Sequence, residues 1–356
     1  MSVAKPPFEI LRFDILLFCG SLFRPDSGFR VLNPETLNPD TWNLSILEIY
    51  LQQLPQQLVN GLTLGGVYAL IAIGYTMVYG ILGMLNFAHG EIYMIGGFTG
   101  WWVLHLLTRN NQVFMNTALV ISLMIVLAMG VSGFVGIMTE RFAYRPLRNA
   151  PRMNLLLSAL GVSIFLQNLV LTYQGAKVRV FHITSLIPEN IRVFHIGSTV
   201  FSFMRVLVIA VTFLLMALLT IMIKKTKVGK AMRATAQDIE AAAFMGIDVD
   251  RIVVMVFLIG SALGGAAGVL VGLLFTQVDY YVGFQAGLKG FTAAVLGGIG
   301  SIQGAMVGGI LLGLTESLAV TFLPSAYKDI VAFVILITVL IIRPWGLMGE
   351  RVPEKV

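Results

Sequence analysis

The chain has 356 residues, 57% hydrophobic and 12% charged, with a formal net charge of +6 and a mean hydropathy of +0.86. Soluble domains carry roughly 25% charged residues, so a water-soluble fold of this length would have too little charge to cover its surface, and a bilayer removes that need. The single cysteine, Cys19, excludes an intrachain disulfide and any Cys-based metal cluster. The positive balance is not a nucleic-acid signal, because it follows the loops between apolar runs.

Residues 8–23 contain Glu9, Arg12 and Asp14, and no small-x-small cleavage site follows them. They read as an extension lying at the membrane surface. Residues 24–45 hold Pro25, Pro34 and Pro39 among turn formers and read as irregular linker. The extension is assigned 1–46, the transmembrane domain 47–343 and a cytoplasmic tail 344–356. A spanning helix needs about 20 largely apolar residues. Such runs fall at 57–82, 90–107, 114–138, 153–173, 203–223, 252–275, 303–323 and 327–343. The glycine-rich stretch 286–300 is shorter. The expected fold is therefore all-α and polytopic, with about eight transmembrane helices plus broken or re-entrant segments. Open sheet would leave unpaired backbone groups in lipid.

Lys and Arg in short loops set the orientation. Arg141, Arg145, Arg148 and Arg152 cluster in one loop, six basic residues lie within 224–251, and Arg343, Arg351 and Lys355 lie in the tail. All three regions are expected to be cytoplasmic and 174–202 external. Parity then makes 286–300 a crossing in some form, and simple counting puts the N-terminus outside unless 83–107 is re-entrant. A weak internal repeat suggests two halves. Leu64-Gly65-Gly66 precedes Ile95-Gly96-Gly97, and Leu263-Gly264-Gly265 precedes Leu296-Gly297-Gly298 at nearly the same spacing. Transporters are often built from such halves, with their sites near broken segments.

Three segments carry candidate function. In GILGMLNFAHGEIYMIGG (80–97), Asn86, His89 and Glu91 sit among apolar residues, and the dense glycine weakens a continuous helix. It reads either as a kinked segment lining a path, or as an interfacial turn whose polar side chains stand in water. In GLKGFTAAVLGGIGSIQGAMVGG (287–309) Lys289 is the sole charge, and the glycine spacing suits close helix packing. Glu316, inside the next span, implies a buried partner or a place on the path, unless it lies near a helix end. The third segment, 224–252, reads as one amphipathic helix from Val228 to Met245. Val228, Ala231, Met232, Ile239, Ala242, Ala243 and Met245 lie opposite Lys230, Arg233, Gln237, Asp238 and Glu240, with Gly246 as the stop. Such a helix fits a lipid surface or a partner's groove. No GxxxxGK followed by Ser or Thr, no HExxH and no GxSxG occurs. An ion-driven carrier would have only Glu91, Asp279 and Glu316 to work with.

The run NGLTLGGVYALIAIGYTMVYGILGMLNFAHGE (60–91), together with LSALGVSIFLQN (157–168), KVGKAMRATAQDIEAAAFMGIDVDRI (227–252) and GFTAAVLGGIGSIQGAMVGGILLG (290–313), closely resembles permease subunits of branched-chain amino-acid ABC importers. The match covers roughly 47–356, and NFAHGE resembles the first of the two permease types. Residues 1–46 depart from the pattern. The resemblance implies a multi-pass subunit of the bacterial inner membrane, paired with a second related permease. Two cytoplasmic ATPases and an external or periplasmic solute-binding protein would complete the importer. This chain would bind no cofactor and catalyse nothing, the ATPases using ATP and Mg. By position, Asn86, Phe87, His89, Gly90 and Glu91 fall in the family's broken-helix region, and Glu316 is added to that path. Gly229, Lys230, Arg233, Asp238, Glu240, Ala241 and Gly246 fall in its ATPase-coupling segment, where Glu240-Ala241-Ala242 and Gly246 are similar to the core of the docking loop. The implied cargo is leucine, isoleucine or valine. Urea or neutral amino-acid importers are the near alternative and an ion-coupled secondary transporter the distant one.

Overall fold

A computed structural model describes residues 39–109, 116–148, 150–182, 193–196 and 199–349. One compact unit, Tyr50–Val356, holds the helical bundle. The surface extension expected at 8–23 lies outside the described residues, as do Arg351 and Lys355.

The helices in chain order are α1 (Pro39–Leu82), α2 (His89–Arg109), α3 (Thr117–Thr139), α4 (Arg152–Gln174), α5 (Phe203–Lys225), α6 (Lys227–Gln237), α7 (Ile239–Phe244), α8 (Val249–Phe275), α9 (Val282–Gly297), α10 (Ile302–Phe322) and α11 (Lys328–Ile342). Every apolar run of the sequence became one of these. Seven are long and apolar enough to cross a membrane. The remaining two runs became α2, whose 21 residues span about 31 Å, and α9, with 16 residues. This is a polytopic all-α membrane protein. α1 begins at Pro39, inside the stretch expected to be irregular. Proline suits a first helical position, since its missing N–H has no partner there anyway.

Helices α1 and α8 form the centre, with 83% and 72% of their apolar windows buried, whereas α11 is 6% buried. Large apolar side chains on the outer faces of α3, α4 and α11, such as Phe134, Phe165 and Ile337, are exposed. A bilayer or a partner subunit can cover such faces. Helix α1 packs antiparallel on α10 through glycine: a methyl group on Gly65 would lie 2.8 Å from Ile310 Cα. Gly96 of α2 meets Gly265 of α8 in the same way. Side-chain-free contacts of this kind drive helix association where no hydrophobic force acts.

The two ends of the bundle are distinct. At one end Arg145 and Arg148 pair with Asp250, and the N–H groups of Leu347 and Met348 donate to the carbonyls of Leu296 and Gly297. The arginine loop therefore meets the start of α8, and the tail meets the end of α9. At the other end Gln56 accepts from the Val200 N–H and Gln57 from the Ser317 hydroxyl. α1 thus begins at the end that carries the 193–202 ladder, and α9 leads back toward the tail. Two short antiparallel ladders, β1 (Arg179–Val180) with β4 (Gln277–Val278) and β2 (Val193–Ile196) with β3 (Thr199–Ser202), close the outer connections.

Candidate functional site

Two helix pairs are broken alike. After α1 the connector 83–88 leads to α2, and after α8 the connector 276–281 leads to α9, six residues each. Gly83, at φ +64°, turns the chain out of α1, and Thr276, at φ 56°, turns it out of α8. Each connector folds back into the bundle. The His89 ring lies against Gly264, near the middle of α8, and Val278 lies against Gly97. Both α2 and α9 therefore begin at mid-depth, and their first turns touch: Gly90 packs on Gly283 and Gly287 with no room for a side chain. Helix N-termini carry unsatisfied N–H groups and a positive dipole end.

The polar residues of 86–91 are not in water. Asn86, His89 and Glu91 are each 1% exposed, which excludes the interfacial turn. The Tyr144 hydroxyl donates to Asn86 Oδ1 at 2.7 Å, and the His89 N–H donates to the Asn86 carbonyl at 3.0 Å, starting α2. His89 stands edge-on to Tyr75, with ring centroids 5.0 Å apart and Nε2 without a hydrogen bond. Glu91 Oε1 accepts from the Ser163 hydroxyl of α4 at 3.3 Å, while Oε2 has no partner and faces the Gly283 backbone. Phe87 packs toward Phe291 of α9, centroids 6.4 Å apart. Buried, half-satisfied groups at the meeting point of two broken helices are suited to exchange hydrogen bonds with a passing polar ligand.

Glu316 belongs to a separate cluster. It is fully buried and its Oε2 accepts from the Tyr68 hydroxyl at 3.0 Å, Lys289 Nζ at 3.3 Å and Lys328 Nζ at 3.5 Å. Lys289 also pairs with Asp329 at 2.8 Å and lies over the Tyr68 ring. Tyr68, Tyr93, Asp279, Lys289 and Lys328 line a cavity of about 240 Å³ toward the outer end. The lysine partners of Glu316 are separated from it in sequence, and no periodicity signals them.

Between α5 and α8 the single helix expected from Val228 to Met245 is two helices, α6 and α7, broken at Asp238. The Asp238 carboxylate accepts from the Glu240 and Ala241 N–H groups at 3.0 Å each. An aspartate that caps this well starts a new helix. The break turns the apolar face. Met232 and Ala242 point inward, but Ile239, Ala243 and Met245, assigned to the same face, are exposed, Met245 by 83%. Phe244, which the helical pattern left unassigned, is 89% exposed. Gly229 sits where a side chain would strike the Met222 and Ile223 backbone, and the Arg233 guanidinium donates to the Ile223 carbonyl. Lys230, Asp238, Glu240 and Ala241 face solvent. Gly246, at φ +84°, ends α7 as expected of a left-handed stop. The α6–α7 hairpin thus presents an acidic first turn and two protruding apolar side chains.

The family model for "Branched-chain amino acid transport system / permease component" matches residues 57–340. The chain belongs to this family. The high-affinity branched-chain amino acid transport system permease protein LivH of Escherichia coli strain K12 is 46% identical to this permease over 304 residues, 85% of this chain and 97% of that protein. The corresponding protein BraD of Pseudomonas aeruginosa is 47% identical over 307 residues, with the same coverage of both chains. A more distant likeness, 30% over 139 residues and 36% of this chain, is to the autoinducer 2 import system permease protein LsrC of Yersinia enterocolitica. No solved structure matches the chain significantly.

Proposed function

We propose that this permease is the transmembrane subunit of an ATP-binding-cassette importer of the bacterial inner membrane. Its cargo is leucine, isoleucine and valine, moved into the cytoplasm. A second related permease completes the pathway, an external or periplasmic solute-binding protein delivers substrate, and two cytoplasmic ATPases dock on the α6–α7 hairpin. The chain itself is no enzyme: ATP and Mg are used by those ATPases. The observation that carries the reading is the hairpin, with Phe244 and Met245 standing free beside the exposed Glu240 and Ala241. Large apolar groups exposed together mark an interaction surface.

For a zwitterion, the paired N-termini of α2 and α9 offer N–H groups to the carboxylate. The Glu91 carboxylate and the carbonyls of the two connectors can take the ammonium, and the surrounding aliphatic walls suit a branched side chain. The 46–47% identity to permeases named for branched-chain amino acids favours this cargo over urea. Replacing Glu240 or Gly246 is expected to abolish leucine uptake while leaving membrane insertion intact, and normal uptake by both variants would remove the docking role. Competition of labelled leucine uptake by valine but not by urea or alanine tests the cargo. Uptake by the chain alone, without ATPases, would instead establish an ion-coupled carrier.

A further inference from the structure

Between the hairpin and the broken helix runs a continuous set of polar contacts that packing does not explain. It starts at Asp250, in the first turn of α8 and four residues beyond Gly246. One carboxylate oxygen accepts from Arg145 Nη2 at 2.6 Å and the other from Arg148 Nη1. Arg148 reaches back through Nη2 to Glu140, whose side chain is wholly buried. Glu140 opens a π-helical turn, Glu140–Tyr144, at the end of α3, closed by the Arg145 N–H on the Glu140 carbonyl. π turns are rare and concentrate at functional positions. This one ends on Tyr144, which is fully buried against Phe257 of α8 and donates its hydroxyl to Asn86. Asn86 in turn holds the first N–H of α2. The Ser158 hydroxyl of α4 donates to the Ala143 carbonyl within the same turn.

Direct packing of α7 on Tyr144 does not make this connection. Ile239 of α7 and Tyr144 both line a cavity of about 390 Å³, whose walls include Met84, Leu155 and Val253. A displaced α7 would move into that space before it pushed on Tyr144. The clamp on Asp250 has no such slack, because charge-assisted arginine–carboxylate contacts are short and directional. The π turn also suits a moving part. Losing its extra residue to an α-helical turn would rotate the succeeding residues by about 100° and take the Tyr144 hydroxyl off Asn86.

We propose that the Arg145/Arg148–Asp250 clamp, the π turn Glu140–Tyr144 and the Tyr144–Asn86 hydrogen bond form the link that passes movement of the 227–246 hairpin to the start of α2. Tyr144 and Asp250 are positioning residues that touch neither nucleotide nor cargo. The inference rests on the reading that the hairpin docks an ATPase. It is tested in the complete importer reconstituted in proteoliposomes, with ATP hydrolysis and labelled leucine uptake measured together. Tyr144→Phe, which keeps the ring, and Asp250→Asn, on the half-exposed side of the clamp, are expected to hydrolyse ATP at nearly the wild-type rate. Leucine moved per ATP should fall by about ten-fold, the scale of one lost buried hydrogen bond. An unchanged ratio of leucine to ATP in either variant, or hydrolysis that falls in step with uptake, would overturn the link. Loss of ATPase co-purification from a Phe244→Ala chain, measured separately, reports on the docking reading and leaves the link to be judged by the ratio.

Discussion

Removing the cations around Glu316 exposes how a charge is kept inside this bundle. Its carboxylate has no solvent exposure and two ammonium groups, at 3.3 and 3.5 Å. At an effective dielectric of about 20, each pair is worth about 5 kcal/mol of gross attraction, most of it spent against desolvation. Lys289→Met leaves Lys328 in place, so the expected net loss is about 1–2 kcal/mol. Lys289→Met with Lys328→Met strands a buried carboxylate beside one tyrosine hydroxyl, and the loss should exceed the sum of the singles, reaching about 3–5 kcal/mol. Adding Glu316→Gln removes the stranded charge, keeps an acceptor for Tyr68 and should recover most of that stability. Reversible unfolding of the purified permease in mixed micelles by increasing SDS measures the wild type, both lysine singles, the double and the triple. A double-lysine variant no less stable than either single, or a triple variant no better than the double, would refute the reasoning.

Phe244→Ala should leave unfolding stability within about 0.5 kcal/mol, since the ring touches little. It should weaken binding of the ATPase by ten-fold or more, as loss of an aromatic anchor does, and titration of the purified subunits reads both effects. Asp238→Ala removes the cap of α7, a loss of about 1 kcal/mol, and should weaken the same binding by about five-fold; hydrogen exchange should rise at Glu240 and Ala241 and not in α6. Gly90→Val places a branched side chain against the Gly283 carbonyl. Overpacking of about 1–3 kcal/mol is expected, with leucine uptake lost in complexes that still assemble; wild-type uptake would show that the α2–α9 contact is not closely packed during transport.

What could be read from sequence came from patterns within one segment. Each apolar run became a helix because backbone groups in lipid must be satisfied within the segment that carries them. The Arg and Lys loops gathered at one end for the reason that orients them. Gly246 was legible as a stop because a positive φ leaves few alternatives to glycine. Asp238 was misread for an equally local reason. Its side chain sits on the polar face of a continuous helix as readily as it caps a new one, and periodicity does not separate the two. Phe244 was missed, and Met245 was placed on one face with the inward Met232 and Ala242, because exposure depends on where α7 points after the break.

Composition and hydropathy alone determined that the chain is a helical membrane protein, and that its unusual polar residues lie in 86–91 and at Glu316. Only the folded bundle decided which groups meet those residues. Glu316 takes Tyr68, 248 positions away, and Asn86 takes Tyr144, 58 positions away. Such pairings are set by helix contacts that bring distant turns to one depth, and the side chains on any single helix carry no record of them.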